Sequence, residues 1–387
     1  MPPLVAPPRR LAAAAHHAAP GGAFAPPTAT WARPTYSRRC RRSLRGRWRG
    51  AAALCAPALV RVRQPRSRAL HPPALRRRRG LALFEQELAQ ADEDVSVVRG
   101  ALYIALHHAP DVDVDAYLAR LEDWGRELRE HHLPPPDQRY TRRMLLAINA
   151  FMFDVLGFKG APNAEWGAVD NSCLNHVLDQ RTGIPLTLSM VYLELARAAG
   201  LPCVGVNLPA HFVVRPVAEG VEALVDVYNA GAIIAVEDAE ALLSPLYGQG
   251  AKIVIDRSFF NDDQPKPRAM LTRMLTNLKQ IYFNSKQYDS ALLMIEYQAL
   301  CAPDPSIAAM NQRDRGICLY LSGRYVDAIA ELQGYLDVYA AAVDRQAIEG
   351  ACMREMRAGA AASTADASVP RRSGHRDLPR RARGAKA

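Results

Sequence analysis

Asn171-Ser172-Cys173-Leu174-Asn175, Arg181-Thr182-Gly183-Ile184-Pro185, Gly200-Leu201-Pro202, Pro209-Ala210-His211-Phe212-Val213-Val214-Arg215 and Leu224-Val225-Asp226 follow one another in a stretch whose reading decides the fold. Pro185 suits the first position of a helix, where a missing N–H costs nothing. Gly200 suits the position just past the last helical residue. Between them Leu186, Leu188, Met190, Val191, Leu193 and Leu195 fall on all sides of the helix, and a helix apolar nearly all round is buried. Glu194 and Arg197, three apart, are its only charges and are placed to pair. After Gly200 the apolar period drops to about two. Residues 203–206, 211–215 and 223–227 therefore read as three short strands. The connections through Asn207-Leu208-Pro209 and residues 216–220 suit antiparallel hairpins. A buried helix on a small antiparallel sheet predicts an α+β core.

Upstream, the pattern turns helical at Leu81. Leu83, Phe84 and Leu88, then Val97, Val98, Leu102, Ile104 and Leu106, predict two amphipathic helices separated by Asp92-Glu93-Asp94, with Asp94 or Ser96 as N-cap of the second. Residues 115–130 form another helix, ended by Pro134-Pro135-Pro136, and residues 141–156 a further one stopped by Gly157. Residues 170–180 predict a short helix capped by Asn171 or Ser172. Downstream, residues 269–356 are helical with an internal repeat. Tyr288-Asp289-Ser290-Ala291 and Tyr325-Val326-Asp327-Ala328 lie 37 residues apart, and Ala302-Pro303-Asp304 closes the first unit. Helix, short turn, helix and proline is a tetratricopeptide-like pattern, and two such units make a small bundle rather than a long solenoid.

The net charge of +10 is unevenly spread. Residues 1–80 hold 18 Arg and no Lys, Asp or Glu, and the tail from Arg357 holds eight basic and two acidic residues. With +18 and +6 removed from the two ends, residues 81–356 carry about −14. Phosphate binding needs a basic face, so no nucleic acid is expected on the core. The Arg-rich, acid-free leader fits an organelle transit segment; a disordered basic arm is the bland alternative. No run approaches the roughly 18 apolar residues of a membrane span. Seven Cys without any C-x-x-C pair argue against a disulfide framework and a zinc site. His107-His108 and His131-His132 are adjacent pairs that do not face one way on a helix. There is no G-x-x-x-x-G-K phosphate loop, and no cofactor or metal is expected.

The order of helix, strand with a His and strand with an Asp resembles the layout of transglutaminase-like and papain-like cysteine proteins. Such a site needs a thiolate at a helix N-terminus, where the dipole and free N–H groups lower the thiol pKa. A His on a neighbouring strand takes the proton and an Asp orients that His. His211 and Asp226 are in place for those roles, but Pro185 stands at the nucleophile position and has no nucleophilic atom. Thr187 and Ser189 are the weak substitutes, and a buried Ser on a helix more often bonds back to a carbonyl. Cys173 and Cys203 read as small buried apolar residues. Asn175, Glu194 and Arg181 are further neighbours of the site. Arg181 precedes the helix start, where a cation is disfavoured unless it holds an anion.

Together with Asp113-Val114-Asp115-Ala116-Tyr117-Leu118, residues 273–282 and Arg313-Asp314-Arg315-Gly316, these motifs resemble the SirB family over residues 81–356. One departure is Ala230-Gly231 after Tyr228-Asn229, where that family usually has Gly-Gly after Asp-Pro-Phe-Asn. The resemblance implies a transglutaminase-like core over residues 81–268, tetratricopeptide-like repeats over 269–356, and flanking segments 1–80 and 357–387. It also favours chloroplast over mitochondrion as destination. The expected function is a non-catalytic regulatory or interaction protein that binds a protein or peptide through its helical repeats. The alternative is a hydrolase or acyl transferase with a relocated nucleophile served by His211 and Asp226.

Overall fold

The computed structural model describes residues 73–354 apart from residues 210, 245–253, 265, 302–303, 340–341, 343 and 353. The leader up to residue 72 and the tail from residue 357 lie outside the described residues. Residues 73–80, expected in the leader, instead open helix α1 (Pro73–Leu88). Helix α2 (Val97–Ala105) begins at Ser96, whose hydroxyl accepts the Arg99 N–H at 3.2 Å. Of the two caps considered, Ser96 is the one used; its oxygen satisfies one of the donors that every helix start leaves open. Asp113 caps α3 (Val114–Glu127) in the same way through the Ala116 N–H. Helix α4 (Thr141–Asn149) widens into a π turn over Ala150–Val155 and stops at Gly157.

The short helix expected over residues 170–180 is two pieces, α5 (Val169–Ser172) and α6 (Leu174–Gln180). Cys173, extended at φ −97° and ψ 117°, breaks it, and neither Asn171 nor Ser172 caps it. Helix α7 (Pro185–Ala199) keeps its expected bounds: Pro185 is the first helical residue and Gly200 ends it at φ 75°. Leu188, Val191, Leu195 and Ala196 are wholly buried. Each large apolar side chain there contributes on the order of 1.5–3 kcal/mol. Two short strands that no pattern announced, β1 (Lys159–Gly160) and β2 (Thr182–Gly183), pair in parallel beside the start of α7.

The main sheet is antiparallel, in the order β3 (Cys203–Leu208), β4 (His211–Pro216), β5 (Leu224–Asp226), β6 (Ala232–Ile234). Strand β6 adds to the three expected. Successive side chains alternate across a sheet, and here the alternation separates two cores. Phe212, Val214 and Val225 join the core around α7. Val206, Leu208, Val213, Leu224 and Ile234 join a second core with helix α8 (Val236–Leu243). The chain is thus α+β, a helix-on-sheet core followed by a helical region.

That helical region consists of α9 (Pro267–Asn284), α10 (Tyr288–Leu300), α11 (Pro305–Leu321) and α12 (Tyr325–Val338). The 37-residue sequence period has a structural counterpart. Tyr288 and Tyr325 both open helices. Lys286 and Gly323 both take positive φ, 58° and 76°. The Ser285 and Ser322 hydroxyls donate to the carbonyls four residues back at 2.8 and 2.7 Å. At the crossing of α11 and α12 a Cβ on Gly316 would sit 2.5 Å from Leu332 Cγ, so a glycine permits the close approach. Leu271, Met274 and Tyr297 of α9 and α10 belong to the core around α7, while Leu332 and Leu336 of α12 belong to a cluster of their own. The change of architecture near residue 268 is therefore no break in the core. Among the described residues no helix is long and apolar enough to cross a membrane.

Candidate functional site

His211 opens β4 and Asp226 closes β5. Val214 lies across from Val225, so Asp226 stands opposite Val213, a diagonal neighbour of His211 on one face. The His211 ring Nε2 meets Asp226 Oδ1 at 3.1 Å. Sequence reasoning brought this pair together, and the structure agrees. It missed Asn229, whose backbone N–H donates to Oδ1 at 3.3 Å and whose side-chain amide donates to Oδ2 at 2.6 Å. The signal was present: an Asp followed three residues later by a residue with a free N–H is a capping pattern, and Asp226 does cap the turn Val227–Asn229. Asp226 is 1% exposed and His211 14%. Burial pushes the Asp226 carboxyl up, but the hydrogen bond and charge of His211 and the two bonds from Asn229 outweigh it, leaving its pKa below the ordinary value.

The neighbouring groups are aromatic. Tyr228 meets the His211 ring edge-on at 6.4 Å. Its hydroxyl donates to the Ala161 carbonyl at 2.6 Å and accepts the Trp166 indole N–H at 3.1 Å. Gly231 makes a turn at φ 70° against the Asn149 side chain, whose amide donates to the Gly231 carbonyl at 2.6 Å. Ala230 sits in the left-handed region at φ 55°.

The start of α7 is the expected nucleophile position. Pro185 is buried there as its first residue. The Thr187 hydroxyl, wholly buried, donates to the Asn171 carbonyl at 3.0 Å, lies 3.2 Å from the Ile184 carbonyl and accepts the Ile184 N–H at 3.2 Å. The Ser189 hydroxyl, also wholly buried, donates back to the Pro185 carbonyl at 2.7 Å. Both substitutes thus serve the helix. Leu208 pairs with His211 and Asp226 with Ala232, and Leu208 and Ala232 belong to the core under α8. By the pleat His211 and Asp226 share that face, while Tyr228, edge-on to the His211 ring, packs against the α7 core and reaches through Ala161 to the strand pair beside the start of α7. Among the described residues no hydrogen bond, ion pair or ring contact joins either of them to Pro185, Thr187 or Ser189.

Neither thiol is activated. Burial, with Asp170 adding to it, pushes Cys173 up to about 12. Burial pushes Cys203 up to about 12 against the opposing charge of Arg215. The thiolate is the nucleophile, and burial disfavours it at both. Glu194 pairs with Arg197 as expected. Asn175 Oδ1 is buried without a hydrogen-bond partner. Arg181 is not at the mouth of α7; at φ 56° it ends α6, and its guanidinium lies 4.0 Å over the Trp124 ring. Among the described residues no group of three or more His, Cys, Asp or Glu is placed to hold a metal ion.

The model of the transglutaminase-like superfamily matches residues 115–276, from α3 through the sheet into α9. A UPF0162 protein of Xylella fastidiosa is 30% identical over 261 residues, covering 67% of this chain and 89% of that protein. A UPF0162 protein of Vibrio cholerae is 26% identical over 250 residues, covering 64% and 88%. F-box only protein 21 of Mus musculus is 35% identical over 119 residues, covering 27% of this chain and 19% of that much longer protein. No solved structure matches the chain. With its helix-on-sheet core and a relative matched over nearly its whole length, the chain belongs to the UPF0162 family, on a transglutaminase-like core.

Proposed function

We propose that this chain is a non-catalytic interaction or regulatory protein, a SirB-like protein whose transglutaminase-like core lacks the nucleophile. The observation that carries the reading is what stands at the start of α7. His211 and Asp226 hold each other at 3.1 Å, while the start of α7 offers a proline and two buried hydroxyls bonded to carbonyls. Acyl transfer needs the nucleophile within hydrogen-bond reach of its base. The helical hairpins of α9–α12, read as tetratricopeptide-like repeats, are the element that holds a protein or peptide partner. The similarity of a short segment to part of the longer F-box only protein 21 supports a module that is reused inside other architectures. The Arg-rich leader supports delivery to a plastid, with the mitochondrion as the alternative.

A hydrolase or acyl transferase is the second reading, favoured by the His211–Asp226 pair itself. A partner that copurifies with the full chain separates the two. It should remain bound to His211→Ala and be lost from Val326→Asp, since Val326 is 62% exposed on α12. Loss of the partner with His211→Ala alone would overturn the interaction reading.

A further inference from the structure

Arg181 was singled out by its sequence position, and the function proposed above does not use it. Tyr117, Arg120 and Trp124 lie at positions i, i+3 and i+7 of α3, on one helical face. The Arg120 guanidinium stacks 4.6 Å over Tyr117 and 5.4 Å over Trp124. Arg181, at the end of α6, stacks 4.0 Å over the same Trp124 and 5.0 Å over Phe158. Two guanidiniums thus share one indole. One carboxylate is bonded within the group: Asp179 accepts Arg120 Nη1 at 2.9 Å and the Tyr117 hydroxyl at 2.6 Å.

The count of donors does not close. Arg120 Nε and Nη2 and Arg181 Nη1 are shut off from water and have no hydrogen-bond partner. Cation–π stacking accounts for the position of the charges but leaves those N–H groups unpaired. Burial, and then the charge of Arg120, push Arg181 down to about 10, so the two cations repel each other. Buried donors without an acceptor, beside two cations and one carboxylate, call for an acceptor from outside the chain.

We propose that Arg120 and Arg181, stacked on Trp124 beside Asp179, form a binding site for a single carboxylate group. Two cations and one carboxylate leave one positive charge, which a monoanion neutralises. A phosphate dianion would overfill the site within a body carrying about −14 over residues 81–356. The planar guanidinium fork matches a carboxylate in two-point geometry. Arg120 is 33% and Asp179 41% exposed, so the site has an open edge by which the ligand enters. A peptide C-terminus and an acidic side chain both supply this group. The inference does not depend on the interaction reading.

The test is a titration of the full chain, with its arginines labelled by ¹⁵N, using sodium acetate at ionic strength held constant with sodium chloride. The Arg120 and Arg181 Nε–H signals, identified from Arg120→Lys and Arg181→Lys, should shift and saturate. Lysine keeps the charge without the fork, so each variant should raise the apparent dissociation constant at least about fivefold. Parallel titrations with N-acetyl-glutamine and N-acetyl-glutamate α-amide should also saturate, and the tighter of the two identifies the source of the carboxylate. Shifts that never saturate, affinity unchanged in both variants, or inorganic phosphate binding tighter than acetate would each overturn the assignment.

Discussion

The two faces of the four-stranded sheet are built to opposite rules. The α7 face is apolar and closed: Phe212, Val214 and Val225 meet a helix whose Leu188, Val191 and Leu195 are wholly buried, and whose Thr187 and Ser189 hydroxyls are spent on carbonyls. The opposite face keeps polar groups in partnership. His211 holds Asp226 there, and Arg215, 2% exposed, donates to the Asp262 carbonyl at 2.6 Å and to Asp263 at 2.7 Å. In the proposed reading the His211–Asp226 pair acts as a structural pin. The difference teaches that a His–Asp pair at the right sequence spacing is evidence of a fold before it is evidence of a reaction.

The largest expected effect breaks the polar face. Asp226→Ala should cost about 3 kcal/mol, because it strands three groups around a buried carboxylate position. His211→Ala should cost only about 1 kcal/mol, since Asn229 still holds the carboxylate. Urea unfolding of both variants measures the contrast; equal losses would remove Asp226 from its place as the pin.

The pH dependence sharpens the same point. A folded-state pKa below the unfolded value means that the unfolded chain takes up the proton first as pH falls. The stability from Asp226 is thus fully present above the ordinary Asp value of about 3.9 and is lost as pH falls through the lower folded value. Urea midpoints at pH 7, 4 and 3 should fall more steeply for the native chain than for Asp226→Asn. A parallel fall would contradict this.

Next in size is the turn after the pin. Ala230→Gly should stabilise the chain by about 1 kcal/mol, because the left-handed backbone at φ 55° penalises a Cβ. A thermal midpoint lower than that of the native chain would contradict it. The smallest effect falls on the closed face. Ser189→Ala removes a hydroxyl bonded only to the carbonyl one turn back, and should change stability by about 0.5 kcal/mol.

Much of this comparison is legible in the chain, and one step is not. Pro185 and Gly200 mark α7 because each suits a helix end for a local reason. The pairing of His211 with Asp226 follows from two strands and a hairpin. Strand β6 is only Ala232-Ile233-Ile234, too short for alternation to register. The break at Cys173 is a tertiary effect that no cap or proline announces. The face of His211 is hidden for a different reason. Phe212, Val213 and Val214 are all buried, so β4 is covered on both sides and its sequence carries no alternation to say which side meets α7. Only the partners Leu208 and Ala232 settle it.

The most direct test of the central claim is turnover. The full chain and His211→Ala would be assayed side by side on thioester, ester, amide and peptide substrates across pH 5 to 9. The account predicts no product formation that depends on His211 at any pH. Turnover that is lost in His211→Ala and shows an acid limb in its pH profile would contradict it, and would mean that a nucleophile reaches His211.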